Sequence, residues 1–167
     1  GLSMTYDGHL IVTFSNGIAV IDRDLDESSV IFCRFADGEY VSNSIAVDEE
    51  GGLYIASATV IPLLSGIMRR LIWTGSEISD KGEDGAWQCG YEASSVLPPM
   101  IKVGYGTGST PTLMGFGDDE DRLVIITDGA EQMNLLAFWR DEIPSGGERM
   151  AGQIPVTCGF EELPEWI

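Results

Sequence analysis

The sequence predicts an all-β protein built from repeated four-stranded antiparallel sheets. Short apolar, β-branched runs alternate with turns rich in Gly, Asp and Asn along most of the 167 residues. No segment carries a sustained 3.6-residue apolar period that ends in a helix cap. Hydrophobic residues make up 44% of the chain, which is typical of a globular domain with a buried core.

Nine strands are predicted in order along the chain, each bounded by turn-forming residues. They span His9–Ser15, Gly17–Asp22, Ser29–Phe35, Ser44–Asp48, Gly52–Ser57, Met68–Gly75, Thr110–Phe116, Arg122–Asp128 and Asn134–Asp141. The Ser15–Gly17 turn suits a two-residue hairpin, because Asn and Gly tolerate positive φ. Ala130–Phe138 is the strongest rival for a helix, and strand is favoured there.

Two of these strands are apolar on both faces. In the run HLIVTF, Leu10, Val12 and Phe14 share one face while Ile11 lies on the other, and the run RLVIIT has the same character. A strand with one solvated face alternates between apolar and polar residues, whereas a strand covered on both faces does not. These strands are therefore predicted to lie between other layers.

Three stretches of the chain repeat one pattern, in which an apolar strand, an Asp/Gly turn and a second strand follow one another. They are SMTYDGHLIVTFSNGIAVIDRD, SIAVDEEGGLYIASATVIPL and TLMGFGDDEDRLVIITDGAEQMNLLAFWRD. Leu10, Leu53 and Leu123 lead the second strands, at intervals of 43 and 70 residues. The shorter interval matches a propeller blade of roughly 40–45 residues. The longer one holds an irregular insertion at about residues 76–108, which is rich in Gly, Ser and Pro.

Four-stranded sheets at this spacing are typical of a β-propeller. One small twisted sheet cannot bury both of its faces, but sheets packed side by side around an axis can. We expect residues 1–167 to form a single propeller-like domain of about four blades, at ~40 residues each. Four blades is the low end for closure, so the alternative is a partial propeller that self-association completes.

The charge balance argues against two classes of partner. The chain has 27 acidic and 9 basic residues and a formal net charge of −18. Nucleic acids and anionic lipids carry dense negative charge and would be repelled, so neither is expected as a partner. The acidity is interpreted mainly as a source of solubility, and attraction of cations is the alternative.

The most apolar run, Ala58 to Met68, is too short to span a bilayer and is interrupted by Pro62. We therefore expect no membrane insertion, and a soluble protein of the cytoplasm or periplasm. No basic, apolar leader is visible at the start of the printed sequence. The part from Val60 to Met68 is expected to cover an edge or an interface, which favours a homo-oligomer.

The cysteines give no strong motif. Cys33 lies in an apolar run and is interpreted as a small buried residue. A Cys89–Cys158 disulfide is an option that nothing in the sequence requires. His9, the single histidine, is interpreted as a surface residue beside a turn. The tryptophans are expected to pack, although Trp87 lies within the insertion and is the one to test as a ligand contact.

The Gly104–Thr110 segment, GYGTGST, is a candidate ligand loop. Its backbone N–H groups, at Gly106, Gly108, Ser109 and Thr110, would suit an anion or another small molecule at a channel mouth. A P-loop would continue into a helix, but an apolar strand follows here, so a plain flexible loop is favoured. The acidic runs DRDLDE and GDDED are interpreted as exposed turns, since the first lacks the Gly and Glu of an EF-hand.

The stretch SNSIAVDEEGGLYIAS resembles the blade motif of the gluconolactonase/strictosidine-synthase-like and quinoprotein-like propellers. The pattern GSTPTLMGFGDD…LVIITDGA…MNLLAFWRDEIP is similar to one that recurs in uncharacterised bacterial proteins of that type. The resemblance covers most of residues 2–143 and implies a propeller fold. Two departures are the short chain and Ser44, which stands where the family pattern has Gly.

In lactonases of that family, an Asn that opens such a strand reaches a divalent cation in the central channel. Only Asn43 matches that position, and Asp128 is carried over as a second ligand, with no Glu to complete the set. The resemblance thus implies Ca²⁺ or another divalent cation, which would lower the pKa of a bound water. The alternative for Asn43 is a turn residue that bonds the local backbone, and this is favoured.

Three functions follow, in order of preference. The first is a ligand-binding or assembly module without assignable catalysis, which fits a repeat that carries no catalytic set. The second, implied by the resemblance, is a divalent-metal-dependent lactonase or esterase that uses Asn43 and Asp128. The third, a quinone-dependent dehydrogenase, is weakest because no cofactor-clamping acids and arginines can be assigned.

Overall fold

A computed structural model describes residues 1–41, 43–59, 65–93, 106–130, 132–157 and 159. Within these ranges the chain forms three antiparallel β-sheets and two short 3-10 turns, Glu27–Ser29 and Gly82–Asp84. The all-β prediction is confirmed. We number the sheets 1 to 3 in chain order.

Sheet 1 is a four-stranded meander in which each strand pairs with the next one in sequence. Its strands are β1 (Leu2–Met4), β2 (Leu10–Phe14), β3 (Gly17–Ile21) and β4 (Ile31–Arg34). Phe14 pairs with Gly17, so the predicted two-residue hairpin is confirmed. Positive φ is not what forms it, because Leu25 is the one non-glycine residue with positive φ in the described ranges. Instead, the Ser15 and Asn16 carbonyls accept bonds from Val41 N and Phe35 N, each at 2.9 Å.

Sheet 2 has six strands, and three of them are only two residues long. They are β5 (Glu39–Tyr40), β6 (Ala46–Val47), β7 (Gly52–Thr59), β8 (Ser65–Trp73), β9 (Ile78–Ser79) and β10 (Trp87–Tyr91). Both β5 and β6 pair with β7, and both β9 and β10 pair with β8. The sheet therefore has the layout of a four-stranded meander whose first and last strands are broken.

Sheet 3 repeats the meander of sheet 1, again with sequential antiparallel pairing. Its strands are β11 (Thr112–Met114), β12 (Leu123–Thr127), β13 (Asn134–Trp139) and β14 (Met150–Pro155). The strand prediction for Ala130–Phe138 is confirmed by β13. A bulge between Ala137 and Phe138 shifts the register of β14.

The three sheets pack face to face, with sheet 2 in the middle. Residues from sheets 1 and 2 form one buried cluster, which contains Ile11, Ile18, Val20, Phe35, Ile45, Leu53, Ile55, Leu71 and Trp73. Residues from sheets 2 and 3 form the other, which contains Tyr54, Ala56, Met68, Tyr91, Val124, Ile126, Leu136 and Phe138. Sheet 2 is thus covered on both faces, and seven of the eight residues of β7 are buried.

Sheets 1 and 3 each have one face without a neighbouring sheet in the described part of the chain. The open face of sheet 1 carries Leu2, Met4, Val12 and Phe32, which are 67%, 59%, 40% and 60% exposed. On sheet 3, Met114, Leu135 and Ile154 are 48%, 42% and 65% exposed. The prediction that β2 and β12 each lie between two other layers is therefore wrong for the described part of the chain, where sheet 2 is the one covered on both faces.

The third copy of the repeat is offset by one residue from its expected alignment. Leu53 faces sheet 1, the preceding sheet, and pairs with Leu71. In sheet 3 the residue that faces the preceding sheet is Val124, whereas Leu123 lies on the opposite side of the strand. The equivalent positions are therefore Leu53 and Val124, because both face the preceding sheet. Leu123 is not equivalent to Leu53, although both are leucines.

The stretch expected to be an irregular insertion, residues 76–108, contains β9, a 3-10 turn and β10 within the described ranges. β10 forms because Trp87, Cys89 and Tyr91 alternate toward the interior and the strand pairs with β8. Of the expected interface run, Val60–Leu64 lies outside the described residues and Ser65–Met68 belongs to β8. No helix long and apolar enough to cross a membrane occurs among the residues described.

Candidate functional site

Asn43 and the predicted ligand loop meet at the junction of sheets 2 and 3. The Asn43 side chain donates from Nδ2 to the carbonyl oxygen of Thr107 at 2.8 Å. The buried Thr107 N–H donates to the Tyr91 hydroxyl at 3.1 Å, and that hydroxyl donates to the Ser57 carbonyl at 3.0 Å. The loop is therefore bonded to sheet 2 on one side.

Hydroxyl groups bond the same loop to sheet 3. Thr107 Oγ1 lies 3.0 Å from Ser109 Oγ and 3.3 Å from Thr127 Oγ1. Ser109 Oγ also accepts a hydrogen bond from the Thr127 N–H at 3.0 Å. Gly108 and Thr110 are exposed, and Gly106 packs where a Cβ would lie 2.8 Å from the Ala58 side chain. The described part of the loop is thus an ordered bridge between the two sheets.

Asp128 follows Thr127 and is buried. Its Oδ1 accepts from the Asn134 N–H at 2.8 Å, and its Oδ2 accepts from Asn134 Nδ2 at 2.6 Å. A weaker bond from the Ala130 N–H, at 3.3 Å, completes the turn. Both carboxylate oxygens therefore hold the connection between β12 and β13.

The two residues carried over as cation ligands are connected only indirectly, through Thr107 and Thr127, in the contacts of the described residues. Asn43 bonds the carbonyl of Thr107, and the side chain of Thr107 contacts Thr127, which precedes Asp128. The groups available there are neutral oxygens plus one carboxylate that already accepts protein hydrogen bonds. No group of three or more His, Cys, Asp or Glu side chains suited to a metal occurs in the described ranges. The divalent-cation site stays a prediction.

A buried ionic cluster joins sheets 2 and 3, and the sequence analysis missed it. Asp48 and Arg140 are both fully buried, and Arg140 Nη2 donates to Asp48 Oδ2 at 3.1 Å. The Tyr54 hydroxyl donates to the same oxygen at 2.8 Å, and Arg70 Nη2 lies 3.4 Å from it. Arg70 also pairs with Asp141 at 2.8 Å.

The surroundings of Asp48 and Tyr54 shift the pKa values of both groups. Burial alone would raise the pKa of Asp48, but the Tyr54 and Gly52 hydrogen bonds and the charges of Arg70 and Arg140 hold it below its usual value. Burial raises the pKa of Tyr54, so the hydroxyl stays a donor. The scarcity of bases was the usable signal: an Arg at the end of an apolar strand in so acidic a chain indicates a buried partner.

A second buried pair borders a cavity of about 550 Å³ between β4 and the outer part of sheet 2. Arg69 pairs with Glu39 at 2.5 Å, and its guanidinium lies 4.0 Å from the centre of the Phe35 ring. Ser57 donates to the same Glu39 oxygen. Cys33, half-buried on β4, also lines this cavity, and burial raises the pKa of its thiol. Because the thiol is protonated and the Arg69–Glu39 charges neutralise each other, this cavity is a weak site for nucleophilic chemistry.

The remaining candidates from the sequence have structural partners. His9 Nδ1 lies 3.0 Å from Asp7 Oδ1, and its ring contacts Trp73 at 4.9 Å between centroids. Trp87, the tryptophan to test as a ligand contact, stacks on Phe138 and donates a hydrogen bond to the Arg140 carbonyl at 2.9 Å. It therefore has a packing role, which was the expectation for the other tryptophans. Cys158 and Trp166 lie outside the described residues.

The fold and these contacts define a chain of three stacked antiparallel sheets joined by buried polar links. A protein of Archaeoglobus fulgidus, described only as an uncharacterized protein, is 34% identical over 174 residues. The match covers 97% of this chain but 31% of that protein, so the chain spans about a third of the curated relative's length. No family model matches the sequence, and no solved structure matches it.

Proposed function

We propose that this chain is a segment of three consecutive β-propeller blades and that it acts as an assembly module, as the resemblance to the propeller families implies. Three sequential meanders stacked face to face support this proposal. The first strands of neighbouring sheets also touch: Ser3 Oγ donates to the Ile45 carbonyl at 3.2 Å, and Asn43 bonds Thr107 just before β11. A cavity lies between β4 and the outer part of sheet 2, where β4 still contacts β9. Four-stranded meanders that repeat around an axis are typical of a β-propeller.

One observation carries the assembly role: the middle sheet is buried on both faces, whereas each outer sheet exposes an apolar one. Phe32 on sheet 1 and Leu135 on sheet 3 are 60% and 42% exposed on these open faces. Contiguous exposed apolar faces of this kind mark interaction surfaces, because burying them releases water. Repeat architectures stack units for the same reason, and their uncapped ends need a neighbour.

The longer relative fits this role. It has about twice as much chain beyond the matched part as within it, which leaves room for further sheets on both open faces. Its activity, and any activity of this chain as part of such a protein, would then belong to the assembled ring.

Size-exclusion chromatography with light scattering, over a concentration series, tests the proposal. We expect the chain to associate, and Phe32→Lys or Leu135→Lys to shift it toward the monomer. Ile143→Lys is the matched control, because Ile143 is 39% exposed but lies in the loop between β13 and β14. A chain that stays monomeric at every concentration would contradict the assembly role, as would an equal effect of the Ile143 and Phe32 changes.

A further inference from the structure

Both interfaces between sheets contain the same polar link. At the first, Trp73 at the end of β8 donates from Nε1 to Asp7 Oδ2, in the turn between β1 and β2, at 2.9 Å. At the second, Arg140 directly after β13 donates to Asp48 Oδ2, in the turn between β6 and β7, at 3.1 Å. In each case an N–H donor lies at the end of the third strand of one four-stranded meander. That donor reaches an aspartate in the first turn of the preceding sheet.

The two donors occupy equivalent positions by strand register. Leu71 pairs with Leu53, and Phe138 pairs with Val124. Trp73 follows Leu71 by two residues, and Arg140 follows Phe138 by two residues. The link is therefore a property of the repeat.

The two ends of the stack carry the unmatched halves of the link. In sheet 1, Ile21 pairs with Leu10, and Arg23 follows Ile21 by two residues, which is the donor position. In sheet 3, Asp119 lies in the turn between β11 and β12, the first turn of that sheet, as Asp7 and Asp48 lie in the first turns of sheets 1 and 2. Arg23 and Asp119 are both exposed. One end of the stack thus presents a cation at the donor position, and the other presents a carboxylate at the acceptor position.

We propose that the open face of sheet 3 docks the open face of sheet 1 of a second copy of this chain, with Arg23 of one copy paired to Asp119 of the other. This inference rests on the proposed propeller segment and names its partner. A head-to-tail contact of this kind joins unlike surfaces, and two copies close it into a two-fold ring when the rotation allows. The ring would hold six sheets, within the usual range of four to eight blades.

Charge and apolar character both favour this occupant. Val12 and Phe32 of sheet 1 would contact Leu135 and Ile154 of sheet 3. The contact would bury two apolar faces that are exposed to water in the single chain. The Arg23–Asp119 pair would fix register and direction, because a copy docked the other way would place like charges together.

Charge reversal with a mixing step tests the contact. Arg23→Glu alone and Asp119→Arg alone are each expected to weaken dimerisation about tenfold, since every dimer then contains two like-charged contacts. A 1:1 mixture of the two variants should recover the parent affinity, because a mixed dimer has one native pair and one reversed pair. Asp118→Arg, an exposed acid next to Asp119, is the control that changes net charge equally.

Sedimentation equilibrium of parent, variants and mixture gives the masses and affinities. A mass of two copies, weakened by each reversal and rescued by mixing, is the expected result. Association that Phe32→Lys abolishes but that neither reversal changes, or a mass other than two copies, overturns this inference and leaves the proposed function standing. A parent that is monomeric throughout overturns both.

Discussion

Replacing Arg140 by Met should be among the most destabilising single changes in this chain. Its guanidinium is fully buried and donates three hydrogen bonds, to Asp48 at 3.1 Å, to the Tyr54 hydroxyl at 3.2 Å and to the Gly115 carbonyl at 3.1 Å. Met fills a similar volume, so the loss is mainly electrostatic. Removing one partner of a buried pair costs about 3–5 kcal/mol, and because Arg70 lies 3.4 Å from the same oxygen, the expected loss is about 3 kcal/mol.

The loss should depend on pH in a defined direction. The pKa of Asp48 is lowered in the folded chain, so its contribution to stability is complete above the unfolded pKa of about 3.9 and is lost as pH falls through the folded value. Arg140→Met brings the folded pKa of Asp48 back toward or above 3.9. The difference in stability between parent and variant should therefore be full at pH 7 and shrink below about pH 4.

Urea unfolding followed by tryptophan fluorescence, at pH 7 and pH 3, measures both quantities. Arg34→Met is the matched control, since Arg34 is exposed and its hydrogen bond to Asn16 Oδ1 is 3.5 Å long, so its loss should cost under about 1 kcal/mol. Equal losses for the two variants, a loss below about 1 kcal/mol for Arg140→Met, or a gap that widens in acid would refute the reasoning.

Two further outcomes concern the outer part of sheet 2. A Cβ built on Gly66 would overlap the Tyr91 ring, so Gly66→Ala should lower the free energy of unfolding by about 1–3 kcal/mol. Gly90→Ala, whose Cβ would lie 3.9 Å from its nearest neighbour, should leave the urea midpoint almost unchanged, and equal shifts would contradict this packing. Burial raises the pKa of Tyr91 to about 12, so its contribution to stability is full below pH 10 and lost as pH rises through about 12. Tyr91→Phe should flatten the decline in urea midpoint between pH 10 and about pH 12, whereas Tyr6→Phe at an exposed position should not, and an unchanged slope in the Tyr91 variant would argue against a buried hydroxyl.

The strands that could be predicted from sequence are those whose own residues alternate or run apolar. β2, β7 and β12 are of this kind, and their turns carry Gly, Asp or Asn. β10 and β14 were missed because a Gly, a residue depleted in strands, interrupts both WQCGY and MAGQIP. β10 instead depends on a contact far away in sequence, where the Tyr91 ring covers Gly66.

The candidate site shows the same limit. The position of Asn43 shortly before β6 was readable, because an Asn before an alternating run is a local signal. The Asp48–Arg140 bond was not, since its partners lie 92 residues apart and no local pattern joins them. Composition held a partial clue: so few bases in so acidic a chain leave each Arg within a strand with a specific role. The offset between Leu123 and Val124 was unreadable for another reason, since both residues are apolar and only the packed neighbour distinguishes them.

Within the sheets described, the main pairing of every strand is with one close to it in sequence. Loop closure therefore costs little entropy at each step, and each sheet can form from a contiguous piece of the chain. During synthesis from the amino terminus, sheet 1 can pair completely before sheet 3 has left the ribosome. Each later sheet can then pack on an apolar face that the preceding sheet already presents. The sheets can therefore assemble in the order in which they are synthesised.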